Sequence, residues 1–385
     1  MSPWLNDGVL ELIAEQAPAA DQSRSVSAEA IDALRASKVM GMTAAHSLGG
    51  SDTSLVEVAE VLRQVVKACS STAWCLWNHL CTFHLFCGLL GPKHSDQLRQ
   101  VVGASEWVCF PAGASTGVVA SAQGEALVLN GKGAFGSGAR YAQWAGVSFV
   151  GEDRGAPQFT LLDLRSEGVR IDPTWQAMSL RASATDDVYY EGVRLSADQV
   201  SVFPMMYRVH FRDPQVAMIA PRYREDWVGL SDLWLGAMAA SLCQAALDEI
   251  CHGIRDRVAI MGLKVAERPL VQVNLGHAQG LITAAADTVQ AALVATDARI
   301  AGETTPTEAD YLAQMSASMQ ALQLCDEAMR LMLRVQGGNG LREGTSFERR
   351  YRDFQAMPLH INAHRDRVSE QVGRALLGLE TTNPF

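Results

Sequence analysis

The sequence is poor in basic residues and has no long apolar run. It carries 32 Lys and Arg against 42 Asp and Glu, which gives a formal net charge of −10. Such a chain is a poor general binder of nucleic acid, because that affinity depends on neutralising phosphates with basic groups. Its apolar stretches, such as residues 235–246, are interrupted by polar residues and fall short of the roughly 20 residues that span a bilayer. We therefore expect no nucleic-acid partner and no membrane association.

Targeting and metal-binding signals are also missing. The first residues, MSPWLNDGVL, lack the basic and apolar regions of a signal peptide, so we expect a cytoplasmic protein. The eight cysteines form no CxxC pair and show no zinc-type spacing to histidine. Cys69, Cys75, Cys81 and Cys87 recur at an interval that places them on no common helix face. We interpret them as small buried apolar residues in a reducing compartment.

The length and the residue patterns of the chain predict three domains. A chain of 385 residues that is 48% apolar can bury a large core, but it is too long for a single one. Residues 1–105 carry apolar residues at helical spacing, most clearly in 28–36, 54–68 and 72–90. Residues 106–205 hold short β-rich runs such as ALVLNG and DVYYEGVRL, separated by Gly, Pro and Asp. That texture is typical of a small antiparallel barrel or sandwich.

The third domain, residues 206–385, is predicted to be a four-helix bundle. Its helical patterns run over about 227–258, 268–301, 307–335 and 346–378, the last with a bend at Pro358. Helices on both sides of a single β block make an α+β fold. The irregular residues 204–225 are either the wall of a pocket or an ordinary connection between domains.

Three segments rich in Gly or Arg are candidate binding elements. Residues 131–144, GKGAFGSGARYAQW, have four glycines that let the backbone approach another group closely, and Ser137 can donate or accept a hydrogen bond. Taken alone, a plain β-turn explains these glycines better. Residues 336–340, QGGNG, fit a glycine cap at the end of a helix. Arg255 and Arg257 are most simply solvated arginines on a helix face.

The segment RDFQAMPLH, residues 352–360, ends in a candidate catalytic imidazole. His360 and His364 are four residues apart and would share a helix face. Neither an HExxH pattern nor a carboxylate in register accompanies them, so we predict no metal site. An imidazole pKa near 6.5 suits proton transfer at neutral pH. Catalysis is therefore the better functional interpretation of His360.

Taken in order, these segments resemble the acyl-CoA dehydrogenase superfamily, and within it the flavin-dependent monooxygenase branch. The resemblance covers nearly the whole chain, including residues 179–195. That branch has a pattern G-x-W-x-F-x-S-G-x-x-H-A-x-W, and this sequence matches it at Gly131, Phe135, Ser137, Gly138, Ala142 and Trp144. Gly133 and Tyr141 depart from it, since the pattern has Trp and His there.

Two further segments extend the resemblance. Residues 70–86 are similar to a helix that supplies an active-site histidine, which here is either His79 or His84. RDFQAMPLH has the Arg-Asp pair and the histidine of the oxygenase pattern. Acyl-CoA dehydrogenases carry a catalytic Glu in the equivalent stretch, whereas residues 359–363 contain no carboxylate. The resemblance therefore favours oxygenation over dehydrogenation.

The resemblance implies the oxygenase component of a two-component flavin-dependent monooxygenase. Such a protein uses reduced FMN or FAD and O₂, through a C4a-(hydro)peroxyflavin, to hydroxylate a small aromatic substrate or one with a reactive N or S atom. A separate NAD(P)H:flavin reductase supplies the flavin, in keeping with the lack of a GxGxxG after a strand. The family also implies a homotetramer. The alternatives are an FAD-dependent, acyl-CoA dehydrogenase-like dehydrogenase or desaturase, and a non-redox scaffold of the same fold.

The same resemblance implies a site between the β-domain and the bundle. Ser137 would contact flavin N5, while His360, with His79 or His84, would deprotonate or orient the substrate. The residues implied to lie along the flavin ring are Phe110, Ala112, Ser115 and Ser137, with Trp144 and Trp175 as further aromatic candidates. The residues implied to meet phosphate, across a subunit boundary, are Arg257, Gln336, Gly337, Gly338 and Asn339.

Overall fold

Helices come first in the chain, strands follow and helices return. The structure is a computed structural model that describes residues 4–112, 117–202, 213, 215–259, 262–361 and 363–381. Its element order confirms the predicted α+β class. Ser115 lies outside the described residues, as do residues 204–212 and 214 of the irregular stretch.

The N-terminal part is helical. Its helices are α1 (Asp7–Ser23), α2 (Ala28–Ala36), α3 (Leu55–Ala68), α4 (Ser70–Leu90) and α5 (Ser95–Gly103). The side chains of Asn6, Ser27 and Ser54 accept hydrogen bonds from the first turns of α1, α2 and α3, which satisfies amides that a helix start leaves unpaired. Almost all of the 21 residues of α4 are buried, because this helix is apolar around its whole circumference. Cys75, Cys81 and Cys87 lie inside it, as predicted for small apolar residues.

The β-part is one sheet with both antiparallel and parallel pairs. Its strands are β1 (Val108–Cys109), β2 (Val118–Gln123), β3 (Ala126–Gly136), β4 (Trp144–Gly151), β5 (Gln158–Asp163), β6 (Val169–Asp172), β7 (Asp186–Ser196) and β8 (Ser201–Val202). The order is β6-β7-β3-β2-β4-β5-β8, and β1 pairs with β4. Both β1 and β2 run parallel to β4. The prediction of a purely antiparallel domain is wrong there, because strand patterns do not report how non-consecutive strands meet.

The glycines of β3 pack against protein backbone. A Cβ on Gly131 would lie 2.0 Å from the carbonyl oxygen of Gly117, and one on Gly133 would lie 2.4 Å from that of Pro111. Gly131 also has φ +128°, a conformation that L side chains rarely adopt. The predicted close approach is present, and these glycines meet Pro111 and Gly117.

The C-terminal part is a helical bundle. Its helices are α6 (Trp227–Ile254), α7 (Pro269–Ala301), α8 (Glu308–Gln336), α9 (Ser346–Phe354) and α10 (Arg365–Leu376). Helix α6 is long and apolar enough to cross a membrane, but 89% of its most apolar window is buried inside the protein, as in a core helix.

The prediction of one bent helix over residues 346–378 is wrong. Helices α9 and α10 are separated by a 3-10 turn, Met357–Leu359. Pro358 in that turn has no N–H to donate and prevents the helix from continuing. His360 follows the turn and His364 is the N-cap of α10, so the two histidines do not share a helix face.

Buried polar contacts join the three parts. The Asp297 carboxylate of α7 accepts a hydrogen bond from the Leu55 amide at the start of α3, at 2.8 Å. The Tyr141 hydroxyl accepts one from the Val26 amide at 2.7 Å and donates to the Ala182 carbonyl at 3.2 Å. Tyr141, which departs from the oxygenase pattern, therefore links the α1–α2 region to the β-part.

Candidate active site

The start of α4 meets the end of β3 through a row of buried hydroxyls. The Trp74 indole N–H donates to Ser137 Oγ at 3.0 Å, and Ser137 Oγ hydrogen-bonds Thr185 Oγ1 at 3.0 Å. Thr185 Oγ1 in turn hydrogen-bonds Ser183 Oγ at 2.7 Å. We call Ser137, Ser183 and Thr185 the hydroxyl row. Its members hold one another, so the Ser137 side chain is fixed by its neighbours.

His360 joins this site from the C-terminal part. Its ring packs edge-on against Trp74 and Trp77, at centroid distances of 5.9 and 5.1 Å. Its Nδ1 is buried and has no hydrogen-bond partner among the described residues. Burial, and to a lesser degree the charge of Arg367, lowers the pKa of His360 to about 4, so the ring is neutral at pH 7. Trp74 thus connects the two predicted catalytic residues, His360 and Ser137.

The Arg-Asp pair of RDFQAMPLH anchors the segment that carries His360. The Arg352 guanidinium donates to the Met178 carbonyl at 2.6 Å and to the Asp21 carboxylate at 2.9 Å. The Asp353 carboxylate accepts a hydrogen bond from the Leu180 amide at 2.7 Å. These contacts tie the end of α9 to the β-part. The pair therefore positions His360.

His79 is held by backbone groups on both sides of its ring. The Val108 amide donates to Nδ1 at 2.9 Å, so this nitrogen carries no proton. The proton is therefore on Nε2, which donates to the Met40 carbonyl at 2.9 Å. Burial lowers the pKa of His79 to about 4. The geometry favours a structural role, since both nitrogens are already used. Its predicted catalytic role stays a prediction.

His84 lies further along α4. Its ring packs against Tyr223 at 5.0 Å, and both ring nitrogens are buried without a hydrogen-bond partner in the part of the chain that the structure describes. Burial, followed by the charge of Arg222, holds its pKa well below the usual value. Ten residues of helix separate it from Trp74, about 15 Å. His84 is therefore not part of the group formed by His360 and Ser137.

The other residues predicted along the flavin ring are spread over several places. Phe110 packs edge-on against Phe86 and Trp227, at 5.9 and 6.0 Å. The Ala112 amide donates to the Phe110 carbonyl at 2.8 Å. Trp144 lines an open cleft of about 490 Å³ and has Arg165 5.9 Å above its ring. Over the described residues, no hydrogen bond or ring contact joins these three side chains to Ser137 or His360.

The residues predicted to bind the flavin phosphate lie at the far end of the bundle. Helices α6 and α8 run side by side in the same direction, with the Cys243 thiol 3.8 Å from the Cys325 carbonyl. Arg257 and the exposed turn 336–339 therefore share one end. The Trp77 indole N–H donates to the Ser231 carbonyl at 2.8 Å, near the opposite end of α6. About 34 Å of helix separates Ser231 from the end of α6, so within one chain the two predicted flavin regions are far apart.

Two residues that the sequence did not single out as site residues belong near this site. Phe135 is 63% exposed at a φ of +60°, and its ring meets that of Trp175 edge-on at 6.3 Å. Asp232 is fully buried in α6, next to Ser231, and neither carboxylate oxygen has a hydrogen-bond partner within the described residues. A signal for Asp232 existed, because it is the one charged residue in the apolar run WVGLSDLWLGAMAA.

The residues around Ser137 fit a flavin ring. An isoalloxazine needs a flat apolar surface and polar groups at its edge. Phe135 presents an exposed ring two residues before Ser137, at a backbone conformation that costs energy for a residue other than Gly. Strain and apolar exposure at one residue are typical of a ligand contact.

Comparison with known proteins agrees with this fold. The family model "Acyl-CoA dehydrogenase, C-terminal domain" matches residues 233–365. The structure "XiaF from Streptomyces sp. in complex with FADH2 and Glycerol" superposes with a TM-score of 0.87, covering 98% of this chain and 95% of that one at 18% identity. The chain therefore has the fold of that protein, and its residues 233–365 are similar to the C-terminal domain of acyl-CoA dehydrogenases.

Two curated relatives of this chain are named as hydroxylases. A "Pigment production hydroxylase" of a Rhodococcus species is 24% identical over 381 residues, covering 97% of this chain and 95% of the relative. The "FADH(2)-dependent resorcinol hydroxylase, oxygenase component" of a Rhizobium species is 24% identical over 402 residues, covering 98% and 94%.

Proposed function

We propose that this chain is the oxygenase component of a two-component flavin-dependent monooxygenase. A separate NAD(P)H:flavin reductase supplies reduced FMN or FAD. When bound, the reduced flavin provides the two electrons that, with O₂, place one oxygen atom on a small aromatic substrate or on a substrate N or S atom. The second oxygen atom leaves as water and the flavin leaves oxidised.

One observation supports the proposal: Trp74 contacts both Ser137 and the neutral imidazole of His360, a residue in the stretch that the resemblance equates with the catalytic Glu of dehydrogenases. His360 has a buried Nδ1 without a partner among the described residues, and residues 359–363 contain no carboxylate. A neutral imidazole can accept a hydrogen bond from a substrate O–H or N–H and orient it. Removing a proton from carbon requires a stronger, suitably placed base.

Two separate groups of residues in this chain would hold the flavin. Ser137 and Phe135 would contact the ring, with the hydroxyl row fixing the Ser137 side chain. Arg257 and the turn 336–339 would meet phosphate in the site of a neighbouring protomer, because they lie too far from Ser137 within one chain. Exposed apolar residues near the same end of the bundle, including Leu263, Leu270 and Val273, support burial against another subunit. The homotetramer and the cytoplasmic location are parts of this proposal.

Isotope labelling tests the reaction. Purified protein is mixed with a flavin reductase, NADH, FAD or FMN, ¹⁸O₂, and phenol or indole as probe. We expect one ¹⁸O atom in the product and the other in water. Flavin reoxidation that yields only hydrogen peroxide, across a panel of aromatic, amine and thioether probes, contradicts the proposal. Reductase with flavin but without this chain is the control.

A dehydrogenase is the second candidate, because Asp232 is a buried carboxyl near the site. Burial raises the pKa of Asp232 well above its usual value, which disfavours the carboxylate form that a base needs. With oxidised FAD, without oxygen, butyryl-CoA should leave the yellow flavin absorbance unchanged. Bleaching of that absorbance would establish the dehydrogenase instead.

A further inference from the structure

Asp232 is a buried carboxyl that the described part of the fold does not use. Its backbone carbonyl accepts a hydrogen bond from Ser318 Oγ at 2.6 Å, but its two carboxylate oxygens have no partner among the described residues. Burying a carboxyl without a partner costs stability. A protein that keeps an unpaired carboxyl in an apolar helix is therefore expected to use it for its function.

Trp77 of α4 links the turn of α6 that carries Asp232 to the His360 ring. The Trp77 indole N–H donates to Ser231, the residue before Asp232, and the Trp77 ring packs against His360. Cys81 follows Trp77 by one helical turn, and the nearby Asp232 carboxyl contributes to the raised pKa of its thiol. The Arg367 charge acts on both Asp232 and His360. The carboxyl and the imidazole therefore flank one region between α4, α6 and α10.

The chemistry of this region favours an uncharged ligand. A protonated carboxyl has one donor and remaining acceptor capacity, so it pairs well with a hydroxyl or a ring N–H. The charges of Asp226 and Arg367 act on Asp232 with opposite signs and so favour neither a cation nor an anion, and Trp74 and Trp77 offer flat apolar surface for an aromatic ring. A ligand without a donor would leave the carboxyl unpaired.

We propose that Asp232 binds the polar group of the substrate and selects neutral aromatic molecules that carry a hydroxyl or a ring N–H. This inference rests on the proposed function, because it assumes that the region beside His360 holds the substrate. Asp232 hydrogen-bonds the O–H or N–H group, and Trp74 and Trp77 cover the ring. Thioethers and fully methylated analogues bind less well.

Binding without turnover tests the inference. Protein loaded with oxidised FAD is titrated calorimetrically with two matched pairs: phenol against methoxybenzene, and indole against 1-methylindole. Wild type should bind the donor of each pair about tenfold more tightly, the worth of one buried hydrogen bond. Asp232→Leu should reduce that preference to about twofold or less, and Asp232→Asn should keep part of it. Equal binding within each pair, or no binding of any probe, overturns the inference.

Thermal unfolding separates this role from a structural one. Asp232→Leu and Asp232→Asn should have midpoints at or above that of wild type, since they relieve an unpaired buried carboxyl. Ser54→Ala is the control. The Ser54 hydroxyl caps α3 by accepting from the Glu57 amide at 3.2 Å, so this variant should melt earlier and keep the preference for donors. If Asp232→Leu does not fold, a tenfold preference that persists in Asp232→Asn overturns the inference.

The two proposals can fail separately. If the donor preference depends on Asp232 but no probe is oxygenated, the monooxygenase proposal fails and the binding role stands. If ¹⁸O enters the product and Asp232→Leu keeps the full preference, the role of Asp232 fails and the monooxygenase stands.

Discussion

His79 lies in α4 and His360 packs against that helix, and desolvation lowers the pKa of both rings to about 4. They differ in their hydrogen bonds. Both nitrogens of His79 meet backbone groups, whereas Nδ1 of His360 has no partner within the described residues. A satisfied ring fixes the fold, and an unsatisfied one is available to a ligand. For these two rings the hydrogen bonds, rather than the lowered pKa, separate a structural histidine from a candidate catalytic one. His84, whose ring nitrogens also lack partners within the described residues, is set apart by its distance from Trp74.

The largest expected effect tests the structural half of this comparison. His79→Ala leaves the Val108 amide and the Met40 carbonyl buried without partners and opens a cavity, so the free energy of unfolding should fall by about 4 kcal/mol. Denaturant titration followed by tryptophan fluorescence measures it. His79→Gln, which can restore one of the two bonds, should lose less. A His79→Ala protein of wild-type stability that forms no product would reverse the roles of the two histidines.

His360→Ala tests the functional half. Product formed per reduced flavin consumed should fall about 100-fold, in the range of a lost general acid–base group. Flavin affinity should stay within about twofold, and the unfolding midpoint should change little, because Nδ1 has no hydrogen bond to lose. His360→Asn is the control for ring size. A variant that loses flavin binding and stability together would show that His360 is structural.

The comparison also shows what the sequence could and could not provide. Helix periodicity located α2, α3 and α4 closely, because apolar spacing reports burial directly. It could not decide between His79 and His84, since both lie in a helix that is buried on every side. That choice depends on groups far away in sequence, such as the Val108 amide and the Tyr223 ring.

The candidate site shows the same division. RDFQAMPLH predicted His360, but the helix assumed around it is broken at Pro358. The glycines of residues 131–138 predicted a close approach, and their partners proved to be backbone groups that no local pattern specifies. Phe135 and Asp232 were missed as site residues because exposure of an aromatic ring and lack of a hydrogen-bond partner are tertiary properties.

Acidification tests both histidines at once. With a folded-state pKa near 4 and an unfolded value near 6.5, each binds fewer protons folded than unfolded between those values, so stability falls as pH drops through that window. Between pH 7.5 and 5 the loss should be about 2 kcal/mol for each ring.

Other buried groups add to this pH dependence or oppose it. The lowered pKa of His84 adds to the loss on acidification. Asp353, whose pKa burial raises to about 6, and Asp232 act in the opposite direction, because their folded forms hold protons more tightly. Across this range the unfolding midpoint of wild type should fall further than that of His360→Asn as the pH drops toward 5. Parallel curves would contradict the lowered pKa of His360.

The smallest expected effect concerns the hydroxyl row, which is satisfied in the same way as His79. Thr185→Val removes the hydroxyl that Ser137 and Ser183 share, at 3.0 and 2.7 Å, and should cost about 1 kcal/mol of stability. Ser137 keeps the hydrogen bond from Trp74, so its side chain should stay oriented and product yield should change less than threefold. Thr185→Ser, which retains the hydroxyl, is the control. The contrary outcome is a fall in yield as large as that of His360→Ala, at unchanged stability. It would mean that a fully hydrogen-bonded group can still take part in the chemistry. The distinction between the two histidines would then not extend to hydroxyls.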